Sequence, residues 1–219
     1  MRVWSIVSQK GGSGKTTLAL HLAIAASKDH RTLIIDLDPQ QSAERWHPLR
    51  QRTTGSKDDP SIAAGPPQKL QDMLKAARKL GAELVLIDTP AKLDKTIMPA
   101  LAVASLVLVP LKGSILDLQA FEDCAHIVNL AKARDKTVVV LNALPVGKNR
   151  EAAVKESLRY VSRSGFEVLS ERLSELPAYN LGLKTGRGVT ESEKNGTAAK
   201  EITALYQALE ARDSGEAGD

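Results

Sequence analysis

One cysteine, Cys124, stands in a chain of 219 residues, so no intrachain disulfide can form and the chain alone cannot supply a Cys-rich metal site or cluster. Its context, Phe121-Glu122-Asp123-Cys124-Ala125, reads as helix, with the thiol a small buried hydrophobe. Aromatic residues are also scarce, at 3%, so a core must be assembled from Leu, Val, Ile and Ala. That supply suits a helix-covered parallel sheet better than an aromatic-rich β-sandwich. Nowhere do 18 apolar residues follow one another, which argues against a membrane span. Met1 runs straight into Arg2-Val3-Trp4-Ser5-Ile6-Val7, a core strand rather than a signal peptide, and a cytoplasmic protein is expected. The charge excess is small: +4, with a pI near 9.1, permits nucleic-acid binding without requiring it. The four histidines, at 21, 30, 47 and 126, share no ligand spacing and read as core or solvent positions.

What is present is a repeated short pattern. Apolar runs at Val3–Val7, Thr32–Ile35, Leu84–Ile87, Leu106–Val109 and Val138–Leu141 read as strands buried on both faces, as in parallel sheets. Between them lie helical faces. Leu70, Met73, Leu74 and Ala77 form one, Leu118, Phe121, Ala125 and Val128 another, and Ala198, Ile202, Leu205 and Leu209 a third. Such alternation predicts an α/β fold with a mostly parallel twisted sheet and helices on both faces. A surface excursion is expected from Arg52 to Pro67 around a short strand at Ser61–Ala64, and a loop from Pro145 to Asn149. One domain spanning 1–213 accounts for the pattern, followed by a frayed acidic tail over 214–219.

After the first strand comes Ser8-Gln9-Lys10-Gly11-Gly12-Ser13-Gly14-Lys15-Thr16-Thr17. Glycines without Cβ let the backbone wrap a polyphosphate, and the helix start adds unpaired N–H groups and a positive dipole end. Lys15 is expected to reach the β- and γ-phosphates, and the Thr16 hydroxyl to ligate Mg²⁺. The general phosphate-loop pattern places Gly where this chain has Gln9, and an extra lysine follows at Lys10. With Lys15 already in the nucleotide-binding role, Lys10 is suited to the phosphate of a facing subunit, as an arginine finger is.

Acidic residues at the ends of neighbouring strands are the natural complement. Strand two ends in Ile35-Asp36-Leu37-Asp38-Pro39-Gln40, and another in Ile87-Asp88-Thr89-Pro90. Asp88 has the form of a Walker-B carboxylate that serves Mg²⁺. Asp38 is the candidate for orienting the attacking water and a further metal ligand, with Asp36 supporting it. An Asp after an apolar strand also serves as a helix cap, and both readings apply at these positions.

Together these residues resemble the ParA/MinD family of deviant Walker ATPases. Lys10-Gly-Gly-Ser-Gly-Lys-Thr-Thr17 is similar to its signature-lysine P-loop, Asp36-Leu-Asp-Pro-Gln40 to its switch segment, and Ile87-Asp88-Thr89-Pro90 to its Walker B. Asn142 matches the position that contacts adenine in the family. The stretches Tyr179 to Glu191 and Ala198 to Ile202 resemble its C-terminal pattern. The short start and the run Asp38-Pro39-Gln40-Gln41-Ser42 to Trp46 look like the small ParA partition proteins, which lack an N-terminal helix-turn-helix. The resemblance implies a P-loop NTPase that binds ATP and Mg²⁺ through Gly11, Gly12, Ser13, Gly14, Lys15, Thr16 and Thr17. It further implies a homodimer closed by ATP, non-specific DNA binding over the nucleoid, and hydrolysis stimulated by a ParB-like or centromere-binding adaptor protein.

A basic stripe accompanies these motifs. Lys155, Arg159 and Arg163 fall four apart on one helix face, and Lys184 and Arg187 add charge in a later loop. These are either solvated side chains or contacts for a phosphate backbone. A MinD-like positioning ATPase would need a basic amphipathic C-terminus, whereas Glu201, Glu210, Asp213, Glu216 and Asp219 face Arg212 alone, so no membrane partner is expected. An iron–sulfur carrier on the same fold is disfavoured by the single cysteine. A metabolic ligase of the same family stays open.

Overall fold

The structure, a computed structural model, describes residues 1–56, 59–91 and 97–215, with no side-chain description at 115 and 116. Seven strands form one sheet in the order β3-β2-β4-β1-β5-β6-β7, every neighbouring pair parallel. The strands are β1 (Arg2–Ile6), β2 (Thr32–Asp36), β3 (Ser61–Ala64), β4 (Leu84–Asp88), β5 (Leu106–Leu111), β6 (Thr137–Leu144) and β7 (Glu167–Ser174). Their connections carry α1 (Lys15–Ala26), α2 (Ser42–Thr54), α3 (Leu70–Lys79), α4 (Met98–Val103), α5 (Ile115–Leu130) and α6 (Arg150–Ser164). Three helices close the chain: α7 (Pro177–Lys184), α8 (Val189–Ser192) and α9 (Thr197–Ser214).

Strand side chains alternate between the two faces of the sheet. Trp4, Ile6, Ile34, Leu84, Leu86, Leu108 and Val140 join one core with α1 and α9, onto which parts of α2 and α7 pack. Val107, Val109, Val139 and Leu141 meet α5 and α6 on the other face, while Leu33, Ile35, Val85 and Ile87 meet α3 there. Both faces are therefore covered, and the continuous Val/Ile/Leu runs follow from that. Trp4 is fully buried and its indole nitrogen donates to Asp213 at 2.7 Å, tying β1 to the end of α9.

Three details depart from the sequence expectation. The edge strand β7 and the full length of α2, which holds Pro48 in its interior, emerge only in the structure. The C-terminal boundary also moves: Ser214 is still helical, and α9 ends at Gly215 with φ +80°, a left-handed cap that glycine adopts without strain. The remainder of the expected tail, 216–219, lies outside the described residues.

The strand ends that matter lie side by side. Asp36 and Asp88 are register partners across β2 and β4, and Ile6 pairs with Asp88 across β1 and β4. The loop leaving β1 thus opens beside β4, with β2 next beyond it, so both carboxylates flank it on one side at the carboxyl ends of the strands, the position where open α/β sheets bind ligands.

Candidate active site

From β1 the chain turns through Gly11–Gly14 and enters α1 at Lys15. Gly12 and Gly14 take φ of 76° and 91°, and at Gly14 a Cβ would stand 2.5 Å from Asn142 Nδ2. Only glycine meets both conditions there. The first turn of α1 has no side-chain cap and no acidic residue, so its amides stay directed at the loop as anion donors. Ser13 Oγ, buried in the same loop, has no partner.

Lys15 follows, 7% exposed. Burial draws its ammonium below the ordinary lysine range, and the charges of Asp88 and Asp38 oppose that shift. Asp88 is fully buried. Thr16 Oγ1 donates to its Oδ2 at 2.6 Å, while Oδ1 is buried without a partner. Burial pushes this carboxyl up to about 7, against the pull of the Thr16 bond and with a further push from Asp36. The site therefore holds an under-neutralised carboxylate beside a hydroxyl, a hard oxygen pair with one orphaned atom. Those donors fit Mg²⁺, which typically takes few protein ligands and fills its remaining positions with phosphate and water.

Asp38 is half-buried, and its Oδ1 accepts the amide of Gln40 at 2.8 Å. Its charge is felt by both Lys15 and Asp88, so it belongs to the same electrostatic cluster. Asp36 performs a different task. Its Oδ1 accepts the amide of Asp38 at 3.0 Å, and its Oδ2 those of Ala43 at 2.9 Å and Glu44 at 3.3 Å. Burial raises its pKa, and these three amides counter the shift. One carboxylate thus fixes the Asp38 loop and caps α2.

Lys10 lies at the rim, its side chain 39% exposed, with Nζ 2.7 Å from Asp117 Oδ1 of the same chain. Asp117 occupies the first turn of α5, where Ser114 accepts its amide at 3.3 Å and donates a hydroxyl hydrogen bond to its carboxylate. The partner of Lys10 is thus itself held in place. Sequence reasoning missed Asp117, which lies 107 residues from Lys10 and carries no motif.

Behind the loop lies a cleft of 280 Å³ walled by Gly12, Thr17, His21, Asn142, Leu176 and Tyr179, among others. Asn142 Nδ2 donates to Ser13 O at 2.8 Å, which links β6 to the phosphate loop and places the amide on the cleft wall. His21, which the sequence presents as an ordinary core or solvent residue, has a more specific place. It is 1% exposed, and the amide of Val189 donates to its Nδ1 at 3.2 Å, which leaves Nε2 as the donor to Tyr179 O at 3.1 Å. Burial drives its pKa down to about 4, so it is neutral and joins α1 to both α7 and α8.

The five basic residues noted in the sequence do not form one surface. Lys155, Arg159 and Arg163 lie on α6, which packs with α5 on one face of the sheet. Lys184 and Arg187 lie at and after the end of α7, whose Leu183 packs with α1, α9 and Trp46 on the opposite face.

Residues 4–186 match the profile described as the CobQ/CobB/MinD/ParA nucleotide binding domain. Among curated proteins, the chain is 30% identical over 167 residues to "Maintenance of carboxysome distribution protein A" of Gloeobacter kilaueensis, covering 76% of this chain and 74% of that one. It is also 30% identical over 223 residues to "Chromosome partitioning protein ParA" of Myxococcus xanthus, covering 81% and 79%. Among solved structures, the septum site-determining protein MinD of Pyrococcus horikoshii, complexed with Mg-ADP, superposes with a TM-score of 0.73 at 20% identity, covering 100% of this chain and 99% of that one.

Proposed function

Because the chain belongs to the CobQ/CobB/MinD/ParA family of nucleotide-binding domains, we propose that it is an Mg-dependent ATPase whose bound triphosphate joins two copies of the chain. The joined form holds duplex DNA without regard to sequence, and hydrolysis, stimulated by a ParB-like adaptor, releases it. The names of the relatives, chromosome partitioning in one and carboxysome distribution in the other, support partition or cargo positioning as the use of this cycle.

Lys10 carries the reading. A second lysine at the mouth of a phosphate loop that already holds Lys15 has no evident task toward its own nucleotide. Its ammonium rests on an exchangeable carboxylate, with the lysine side chain 39% exposed, where a neighbouring copy's phosphate can replace Asp117. Within one copy, the amides of Gly11 to Thr17 cradle the β- and γ-phosphates, and Lys15 supplies fixed positive charge to them. Thr16 and Asp88 would hold Mg²⁺, which when bound neutralises charge on the phosphate oxygens. Asp38 orients the attacking water, and Asp36 fixes Asp38 through its amide. The base occupies the cleft beside Asn142.

The acids near the end of α9 are engaged within the fold. Glu210 is spent on Arg2 at 2.8 Å and His30 at 3.1 Å, and Asp213 on Trp4. Among the described residues, no helix is long and apolar enough to cross a membrane.

Retention on immobilised duplex DNA tests the proposal, with ATP, ADP or no nucleotide over a series of salt concentrations. Retention with ATP alone, weakening steadily with salt, is the expected result. Equal retention in ADP and ATP would contradict the switch.

A further inference from the structure

Helix α2 begins where the nucleotide is expected and is fastened there by a single carboxylate. Asp36 accepts the amides of Ala43 and Glu44 in the first turn and that of Asp38 just before it. A displacement of residues 38–41 therefore acts directly on the start of α2. Gln41, at φ 50°, is the left-handed joint between the two.

Further along, three side chains on one strip of α2 grip a distant segment. Positions 46, 50 and 53 are related as i, i+4 and i+7 and so share a face. Trp46 Nε1 donates to Leu183 O at 2.7 Å, Arg50 Nη1 to Gly186 O at 3.2 Å, and Thr53 Oγ1 to Thr185 O at 2.9 Å. Arg50 is 1% exposed and also makes paired bonds to Glu191, at 2.5 and 2.8 Å. The fit is close. Gly186 has φ +71°, and a Cβ there would meet Thr53 Oγ1 at 2.7 Å and Leu49 O at 2.9 Å. Three backbone carbonyls within four residues are thus fixed by one helix, and the segment follows α2 if α2 moves.

Both parts of this assembly carry exposed cations. Arg45 and Arg52 are exposed and lie seven apart on α2, each one position before a gripping residue. Lys184 and Arg187 are exposed on the gripped segment. Glu44 is the acid along α2, and Glu191 is engaged with Arg50. By contrast, α6 packs against α5, β6 and β7 on the other face of the sheet.

We propose that α2 and residues 183–191 form a clamp that carries the state of the Asp36–Asp38 segment to a surface built from Arg45, Arg52, Lys184 and Arg187, and that this surface takes the phosphate backbone of duplex DNA when ATP is bound. The proposal rests on the DNA-binding reading above and names the regulation and location of that binding. Physically, the grip stops the four cations from being re-aimed independently of the switch. Nucleotide state then becomes a difference in how well they match phosphate spacing, and only such a difference can shift the equilibrium.

Trp46→Phe combined with Thr53→Val keeps an aromatic ring at 46 and the side-chain volume at 53 while removing two of the three carbonyl donors; neither residue serves the nucleotide. Expected are ATP affinity and unstimulated hydrolysis within about twofold of wild type, and a ratio of DNA affinities in ATP over ADP that falls at least about fivefold. Replacing Arg45, Arg52, Lys184 and Arg187 by Gln should flatten the log–log salt dependence by about 0.9 for each phosphate no longer neutralised, whereas Gln at Lys155, Arg159 and Arg163 should leave it near wild type. An unchanged ATP-over-ADP ratio in the clamp variant, or binding abolished through the α6 variant alone, would overturn the proposal while the DNA reading stands. Trp46 emission of the wild type, taken as the difference from Trp46→Phe and read without DNA, should shift when a non-hydrolysable ATP analogue is added. If the wild type retains no DNA in any state, the DNA reading falls, and a silent Trp46 would then remove the clamp as well.

Discussion

Replacing Asp117 by Asn should tighten the ATP-bound dimer. In the single chain, Lys10 spends its charge on Asp117 at 2.7 Å, and the proposed closure requires that ion pair to break in both copies. The lysine side chain is 39% exposed and the carboxylate 8%, so solvent screens the pair from one side. An ion pair of this kind is worth about 0.7 kcal/mol, within the range measured for exposed pairs. Two such pairs per dimer cost about 1.4 kcal/mol, so their removal should lower the dimer dissociation constant about tenfold. Asn preserves the shape of the α5 start and can still accept from Ser114, which limits damage to the helix. Sedimentation equilibrium with a non-hydrolysable ATP analogue reads the constant directly. The gain should shrink between about 50 and 500 mM salt, as expected for a screened pair (Debye length about 10 Å at 0.1 M). A dimer weakened by Asp117→Asn would refute the reasoning, because Asp117 would then be supporting Lys10 in the closed form rather than competing for it.

Other outcomes follow from the same geometry. Lys15→Ala should abolish ATP binding in calorimetry, since it removes the one buried cation of the phosphate loop. Asp38→Ala should still bind ATP but hydrolyse it at least about tenfold more slowly, as for loss of a water-positioning group, leaving a long-lived dimer on DNA; normal turnover would remove Asp38 from that role. Asp88, with its pKa raised to about 7, keeps part of its proton at neutral pH, so Mg·ATP binding should release protons at pH 7 and almost none at pH 9. Calorimetry in buffers of different ionisation enthalpy measures this release, and Asp88→Asn should abolish it. His21 is held neutral with its pKa near 4, below the unfolded value of 6.5, so its contribution to stability is lost as pH falls from 6.5 towards 4. Asp88 has the opposite sign: its folded pKa lies above the unfolded one, so its contribution is lost as pH rises from about 4 through 7. Acid melts of Asp88→Asn should therefore show a steeper loss of Tm below pH 6.5 than wild type.

Much of this was legible because parallel sheets and phosphate loops depend on local pattern. The runs Leu84–Ile87 and Val138–Leu141 are buried on both faces, so composition alone marks them as strands. The edge strand β7 was not legible: Glu167, Ser170, Glu171 and Arg172 interrupt its apolar residues, because an edge strand keeps one side towards solvent. Pro48 hid the length of α2, whose hold on the rest of the fold comes from Asp36 at its start and residues 183–191 along its side. In the site, the glycines and strand-end carboxylates announce themselves through spacing. Asp117 and the buried role of His21 do not, since their partners lie 107 and 158 residues away. Spacing along the chain also cannot show that the two basic clusters fall on opposite faces of the sheet.

The mass of the particle in solution tests the central claim most directly. Light scattering on wild type saturated with a non-hydrolysable ATP analogue should give twice the 23.5 kDa chain mass, with Lys10→Ala and the ADP-bound form staying at the mass of one chain. A wild-type chain that remains single under saturation, or a Lys10→Ala variant that pairs as well as wild type, would contradict it.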